Sequence, residues 1–450
     1  MPGSVSMFGS GFLGGMLFIW ILLSQDAMVL DVASSLSTVV EKETSISTVL
    51  ENGTSISTEE TSPRSWAGWH SVEEVGAMSD AQVEDALRSR GQDPIPKPPP
   101  GTNDDEEDED GNTTGWKREL FGRLDRVRLL CGELCTLNTV PRIQEHYESP
   151  NQSPEDELKH GFLPTVVVPN LSCPNLMAME EIDAGDMTFP VRIPKELLDF
   201  YTLNNAYHVR WDRIRKDAYL GGASEKSLWK TGNVWHRKDI DDAVKEVKEG
   251  TLKGSYGVEE TNLLRDTLSQ VDMNGKSVLV IGSSHPWVEA ICLYHGAKRV
   301  VTLEYGTIDS RHPQIDTEVP DTLRQKYLSG DLEPFDGIIT HSSMEHSGLG
   351  RYGDALNPWG DILGLARGWC VTKPGAFLWL GIPTGKDFVF YNWHRVYGKY
   401  RWPLIATNWK QIGSGIRNET IEEKFQRGPW QSMQNEGFIF RKLDVWLERQ

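Results

Sequence analysis

The chain has 450 residues, 38% of them hydrophobic and 25% charged, with a formal net charge of −19. That apolar share is low for a chain folded from end to end, so a disordered portion is expected. Residues 1–118 hold 20 acidic and 7 basic side chains, which puts 13 of the net negative charges in the first quarter; the remainder has no basic excess, and no nucleic-acid partner is expected.

In chain order the first feature is MFGSGFLGGMLFIWILL, residues 7–23, apolar and uncharged and close to the shortest length that spans a bilayer. The first Lys or Arg is Lys42, so the basic flank of a signal peptide is missing. Low-complexity sequence follows and offers no core for a buried helix. Residues 1–30 are therefore read as a signal peptide or signal-anchor, with 7–23 as the membrane anchor in the second case, and the protein is expected in the secretory pathway: Golgi or ER lumen, single-pass membrane, or secreted. Sequons at Asn52, Asn112, Asn151, Asn170 and Asn418 fit a luminal glycoprotein.

Three Ser/Thr-rich decads run from Ser35 to Arg64, followed by PIPKPPPG (94–101) and the acid run DDEEDED (104–110). Each repeat is too short to bury a face, and seven neighbouring acids repel one another. Residues 31–115 are thus expected to be a disordered stem, with order beginning near Trp116. The acid run has no ligand spacing or glycine turn that would organise calcium. Five cysteines are too few for a disulfide scaffold; Cys131 and Cys135 are close enough to pair or to share a metal, whereas Cys292 and Cys370 fall on apolar helical stretches and read as core.

From 116 to 235 the signals suggest an N-terminal elaboration, with a short buried strand in PTVVVPN (164–170) and a helical stretch from Ile193 to Arg215. Residues 236–450 read as the main domain. KDIDDAVKEVKEG (238–250) places Ile240, Val244 and Val247 on one helical face and ends on Gly250. A second helix, VEETNLLRDTLSQV, leads into KSVLVIGSSHPWVEAICLYHGAKRVVTLEYG (276–306), which reads strand, turn, helix, strand, with Pro286 in the helix's first turn and Ser284 or His285 as its cap. FDGIITH and GAFLWLGI add near-continuous apolar strands around the helix DILGLARGWCVT, and GFIFRKLDVWL reads as a last, antiparallel edge strand. This alternation indicates an α/β fold with a mostly parallel, doubly wound, Rossmann-like sheet covered on both faces.

Ligands of such sheets bind beyond the carboxyl ends of the strands. The turn after the first strand keeps one glycine, Gly282; Ser284 stands where a dinucleotide fingerprint needs its second, which disfavours pyrophosphate. Glu304, 22 residues on, ends the next strand, where a carboxylate can accept from ribose hydroxyls. A ribose-bearing ligand without phosphate fits both facts, and S-adenosylmethionine is one, its carboxylate directed to the helix start near Ser283–Trp287. No D-x-D pair at a strand end supports a sugar-nucleotide enzyme such as a glycosyltransferase.

The segments VLVIGS, GAKRVVTLEYG, FDGIITHSSMEHSGLGRYGD and KPGAFLWLGIPTGKD resemble, in this order, those of class I S-adenosylmethionine-dependent methyltransferases. They resemble more closely a domain of unknown function first catalogued in nematode proteins. The resemblance covers roughly residues 230–450. It implies a methyltransferase-type sheet, a cofactor-facing set of Gly282, Ser283, Ser284, Glu304, Tyr305 and His341, and a loop after the fourth strand that faces the methyl donor. Between Glu304 and Asp336 the chain leaves little room for a normal third strand and an adenine-binding acid. In the fourth-strand loop, His346, Glu345 and Arg351 are the candidate catalytic residues: His346 as base, or as a structural histidine, and Arg351 positioning a polar substrate or pairing with Asp354. His341, Glu345 and His346 do not have metal-motif spacing, and no metal is expected. The aromatic and basic run FYNWHRVYGKYRWP (390–403) reads either as packing or as a surface for a sugar or anion. The expectation is methyl transfer to an oxygen of a glycan or small polar acceptor; the alternative from another class is a non-catalytic scaffold that kept the sheet and lost the cofactor.

Overall fold

In a computed structural model, the residues described are 70–98, 115–135, 166–169, 171–179, 190, 192–211, 233–352, 354–416, 419–432 and 434–444. The expected signal segment, the repeats, the acid run and all five sequons lie outside them. Among the described residues no helix is long and apolar enough to cross a membrane.

Seven strands form the central sheet: β1 (Ser277–Ile281), β2 (Arg299–Leu303), β3 (Ile315–Glu318), β4 (Phe335–His341), β5 (Thr372–Pro383), β6 (Trp409–Ser414) and β7 (Asn435–Lys442). Their order across the sheet is β6-β7-β5-β4-β1-β2-β3, with β7 antiparallel to both neighbours and the pairs from β5 to β3 parallel. The expected antiparallel last strand forms, but inside the sheet; Trp409–Ser414 takes the edge. The expected crowding before Asp336 is also corrected, because a four-residue β3 pairs with β2. Short strands need little chain.

The apolar strands are buried on both faces, and alternate residues supply the two cores. Val278, Val280, Val300, Ile339, Trp379 and Ile439 pack on one side; Leu279, Val301, Ile338, Leu378, Leu380 and Phe440 pack on the other. Ten helices belong to this account, in chain order: α1 (Val72–Ala77), α2 (Asp80–Ser89), α3 (Gly115–Cys131), α4 (Cys173–Ala178), α5 (Lys195–Thr202), α6 (Arg237–Glu249), α7 (Val258–Leu268), α8 (Trp287–Tyr294), α9 (Pro320–Ser329) and α10 (Gly360–Cys370). Helices α6, α7 and α8 cover the first side, and α1 to α5 join α9 and α10 in the cluster on the second. Helix α6 ends on Gly250 at φ 74°, a left-handed conformation that glycine adopts without strain. Pro286 itself is the cap of α8, in place of Ser284 or His285.

The N-terminal part departs most from expectation. Residues 72–89, placed in the disordered stem, form α1 and α2, each opened by a capping box: Ser71 with Glu74 and Ser79 with Gln82. Val75, Val83, Leu87 and Ile95 are buried in the same core as the sheet, so few but well-spaced apolar residues suffice when a partner surface exists. Val166 and Val168 are buried but form no strand; the Asn408 side chain bonds the backbone N–H and C=O of Val168 instead. The stretch expected to be helical from Ile193 stops at Thr202, where Leu203, Asn204 and Asn205 turn left-handed. Two disulfides are present: Cys131–Cys135, and Cys173–Cys370, which links α4 to the end of α10. Cys370 is therefore a bridge rather than simple core, while Cys292 is free and buried as expected.

Candidate functional site

The sheet order reverses between β1 and β4, and the loops leaving β1, β2 and β4 diverge there around a cavity of about 250 Å³. Gly282, Ser283, Ser284, Glu304, Tyr305, His341 and His346 all line it, so the structure brings the sequence-derived cofactor set together.

Gly282 holds the turn after β1 at φ 80°, and its N–H bonds Leu303 O. A Cβ there would lie 1.9 Å from Ser343 Oγ, which itself donates to Gly282 O. The single glycine is thus demanded by its positive φ and by the close approach of the β4 loop. Glu304 follows β2 and is 5% exposed; Oε1 accepts the Tyr305 N–H at 2.8 Å, and Oε2 is buried with no hydrogen-bond partner. Burial pushes its pKa up to about 7. Tyr305 stands half-exposed at the mouth.

An acid does end the third strand, but Glu318 accepts from Thr322 Oγ1 and pairs with Lys326, so helix α9 uses it. Beyond Glu304 the cavity is walled by Leu279, Leu303 and Leu323 and roofed by Met177 of α4. Sequence reasoning missed Met177, since nothing local ties α4 to a strand end. Arg367 on α10 donates to Leu176 O and Met179 O, and Cys370 is bonded to Cys173; together they hold α4 over the cavity.

At the other end, His341 is enclosed by Tyr256, Trp287 and Trp379, ring centroids 5.0, 5.1 and 5.5 Å away. Burial lowers its pKa to about 3, so the ring is neutral; Glu260 Oε1 is 3.0 Å from Nε2 but without hydrogen-bond geometry, and the contact is not an ion pair. Ser342 leaves β4 at φ 52° and donates Oγ–H to Glu345 Oε1 at 2.7 Å. Glu345 is 1% exposed, its Oε2 has no hydrogen-bond partner, and burial raises its pKa to about 7. His346 donates Nδ1–H to Trp393 O, which leaves Nε2 as the acceptor nitrogen, 3.6 Å from Glu345 Oε1. Burial lowers the pKa of His346 to about 3. The group poised near neutrality is therefore Glu345, and His346 stands beside it as a neutral ring with Nε2 as its acceptor nitrogen. The positive charge of Arg351 reaches both residues. Asp354 accepts the N–H of Gly348 at 2.6 Å and of Tyr352 at 3.1 Å, a loop-shaping role.

Most of the run 390–403 is packing, while Lys399, Tyr400, Trp402 and Pro403 line a second cavity. Phe390, Tyr391, Arg395, Tyr397, Arg401 and Trp402 are buried, and Arg401 and Arg395 flank Asp361 at 2.6 and 3.7 Å. Among the described residues no group of acids, histidines and cysteines could hold a metal ion.

The sheet order with its reversed last strand, the Gly282 turn and the acid at the end of β2 define a Rossmann-like domain of the methyltransferase type. Residues 275–443 match the family model described as "Caenorhabditis protein of unknown function, DUF268". No curated protein matches the chain. Among solved structures it is similar to a 1,6-didemethyltoxoflavin-N1-methyltransferase of Burkholderia thailandensis, at 13% identity, covering 46% of this chain and 87% of that one, TM-score 0.28. The N-methyltransferase NodS of Bradyrhizobium japonicum WM9 gives 14%, 46%, 97% and 0.28 in the same measures. The branched-chain polyamine synthase of Thermus thermophilus gives 14%, 45%, 63% and 0.27, so the chain spans less than two thirds of it. The fold assignment rests on the strand order itself.

Proposed function

We propose that the protein is an S-adenosylmethionine-dependent methyltransferase of the secretory pathway, acting on a hydroxyl of a small polar acceptor, glycans included. The observation that carries the reading is Glu304 Oε2, a buried carboxylate oxygen without a hydrogen-bond partner at the end of β2, lining the cavity beside the Gly282 turn. A buried acceptor of this kind costs stability unless a ligand supplies its donor, and the two hydroxyls of a ribose are such donors. The residues present fit the group: an acid for the ribose, apolar walls from Leu279, Leu303 and Leu323 for the base, and no second glycine for a pyrophosphate.

When bound, S-adenosylmethionine supplies an electrophilic methyl group on a sulfonium. The chain supplies the rest. His346 Nε2 accepts the hydrogen bond of the acceptor hydroxyl and so orients it, its tautomer fixed by the bond from Nδ1 to Trp393 O. As the methyl arrives the proton passes to His346 Nε2, and Glu345, 3.6 Å away and favoured in its ionised form by the Arg351 charge, stabilises the imidazolium so formed. Two disulfides support an oxidising compartment, as a secretory location requires. In this reading the acceptor enters the cavity end near Tyr256 and Tyr352, and the burial of most of the run 390–403 supports that choice.

Calorimetric titration of the full chain with S-adenosylhomocysteine is the test. Binding in the micromolar range, weakened at least about tenfold in Glu304→Ala, is the expected result, equivalent to one lost charged hydrogen bond or more. A folded protein that does not bind, or whose binding ignores Glu304, overturns the reading in favour of a scaffold.

A further inference from the structure

Behind the Gly282 turn lies a second acid that the mechanism above does not use. Glu289, on α8, is 0% exposed. Its Oε1 accepts from Thr302 Oγ1 of β2 at 2.7 Å, and its Oε2 lies 3.0 Å from Ser283 Oγ. Ser283 Oγ is also 2.8 Å from the carbonyl oxygen of His285.

These contacts can be counted in hydrogens. A serine hydroxyl carries one, and a peptide carbonyl can only accept. If Ser283 gives its hydrogen to His285 O, the contact with Glu289 needs a hydrogen from the carboxyl itself. A neutral Glu289 satisfies every contact: it donates from Oε2 to Ser283, Ser283 donates to His285 O, and Thr302 donates to Oε1. An ionised Glu289 competes with the His285 carbonyl for the one serine hydrogen, and one of the two acceptors loses its bond.

The surroundings agree. The titratable groups that bear on Glu289 are Glu304 beyond the end of β2 and the Cys292 thiol on its own helix, both of which repel a charge there when ionised. Among the described residues no Lys, Arg or His forms an ion pair with it, and the His285 ring turns away to Ser284 Oγ. Burial lifts the Glu289 pKa to about 7.

We propose that Glu289 is a positioning residue that holds the donor-binding turn, Gly282–Trp287, in its binding shape as a neutral carboxylic acid, tying Ser283 on the turn to Thr302, two residues before Glu304. This inference rests on the donor reading given above.

The experiment follows S-adenosylhomocysteine affinity of the full chain from pH 6 to 8.5 for the wild type, Glu289→Gln and Glu289→Leu, with the infrared band of protonated carboxyls recorded at pH 6. The amide of Gln keeps a donor for Ser283 and an acceptor for Thr302 at every pH. Glu289→Gln should match the wild type at pH 6, bind several-fold tighter at pH 8.5, and lack one buried protonated-carboxyl band; Glu289→Leu should bind more weakly throughout. Identical pH profiles for the wild type and Glu289→Gln, or no difference in the band, overturn the proposal even if Glu289→Leu does not fold. Failure of every folded variant to bind sinks the donor reading and the positioning role with it; donor binding with unchanged profiles sinks only the role of Glu289.

Discussion

The two rims of the cavity are built in opposite ways. The loop after β4 is held from all sides: Tyr201 donates to Gly348 O at 2.5 Å, Arg395 to Ser347 O at 2.6 Å, and Asp354 gathers two backbone N–H groups. Behind it Asp361, pushed up by burial but held below the ordinary carboxylate range by Arg395 and Arg401, anchors both guanidinium groups. The donor rim is tied by Gly282 to Leu303, Ser343 to Gly282, Asn233 to Ser284 and the chain from Ser283 through Glu289 to Thr302, and it keeps Glu304 Oε2 unfilled at the cavity. The difference separates positioning from binding. In the proposed function the first rim positions the acceptor and the second binds the donor.

That contrast can be broken most sharply at Asp361. Asp361→Ala leaves two buried guanidinium groups without their shared carboxylate and should lower unfolding free energy by about 3–5 kcal/mol in urea titrations. Glu304→Gln, by contrast, should leave stability unchanged or raise it, because it replaces a buried ionisable carboxyl with an amide that is never charged. A loss of similar size from both variants would end the distinction between the rims.

Next in size comes the roof. Replacing Cys173 and Cys370 by Ser, or reducing the bond, should cost about 2–5 kcal/mol, as for other native disulfides. It should also weaken S-adenosylhomocysteine binding at temperatures where the protein stays folded, since Met177 loses its tether; unchanged affinity would make α4 a bystander to the site.

The smallest effect is in pH. Glu260, Glu289, Glu304 and Glu345 are raised from 4.5 to about 7, so the fold favours their protonated forms, and the stability they contribute is complete below about pH 4.5 and lost as pH rises through 7. His341 and His346 are lowered from 6.5 to about 3, which acts the other way: their contribution grows as pH rises from 3 to 6.5. Above pH 6.5 only the acids remain, so the midpoint of thermal unfolding should fall between pH 6.5 and 8 by an amount on the order of a few °C. Glu345→Gln should flatten that fall; an equal slope in the variant would show that Glu345 is ionised throughout.

Much of the sheet was legible because its signal is local. SVLVI, RVVTL and GAFLWLGI are apolar runs bounded by turns, and α6 announces itself through Ile240, Val247 and Gly250. The helices α1 and α2 carried their signal in two capping boxes, yet their sparse apolar residues sit between a Ser/Thr repeat and an acid run, and composition hid them. For the site, the spacing from Gly282 to Glu304 located the donor end. The histidine chemistry went the other way: a sequence gives His346 its ordinary pKa, and only enclosure by the chain lowers it while lifting Glu345.

By itself the sequence determined the alternation of strands and helices, the turn with one glycine and the acid at the end of the next strand, since each depends on neighbours within a few residues or on a fixed βα period. Tertiary structure alone decided that β7 enters the sheet rather than edging it, that Cys173 meets Cys370, that Met177 roofs the cavity and that Ser343 is what requires Gly282. Each of these joins residues far apart in the chain, and their energies depend on exclusion of water and on contact distances that no local pattern encodes.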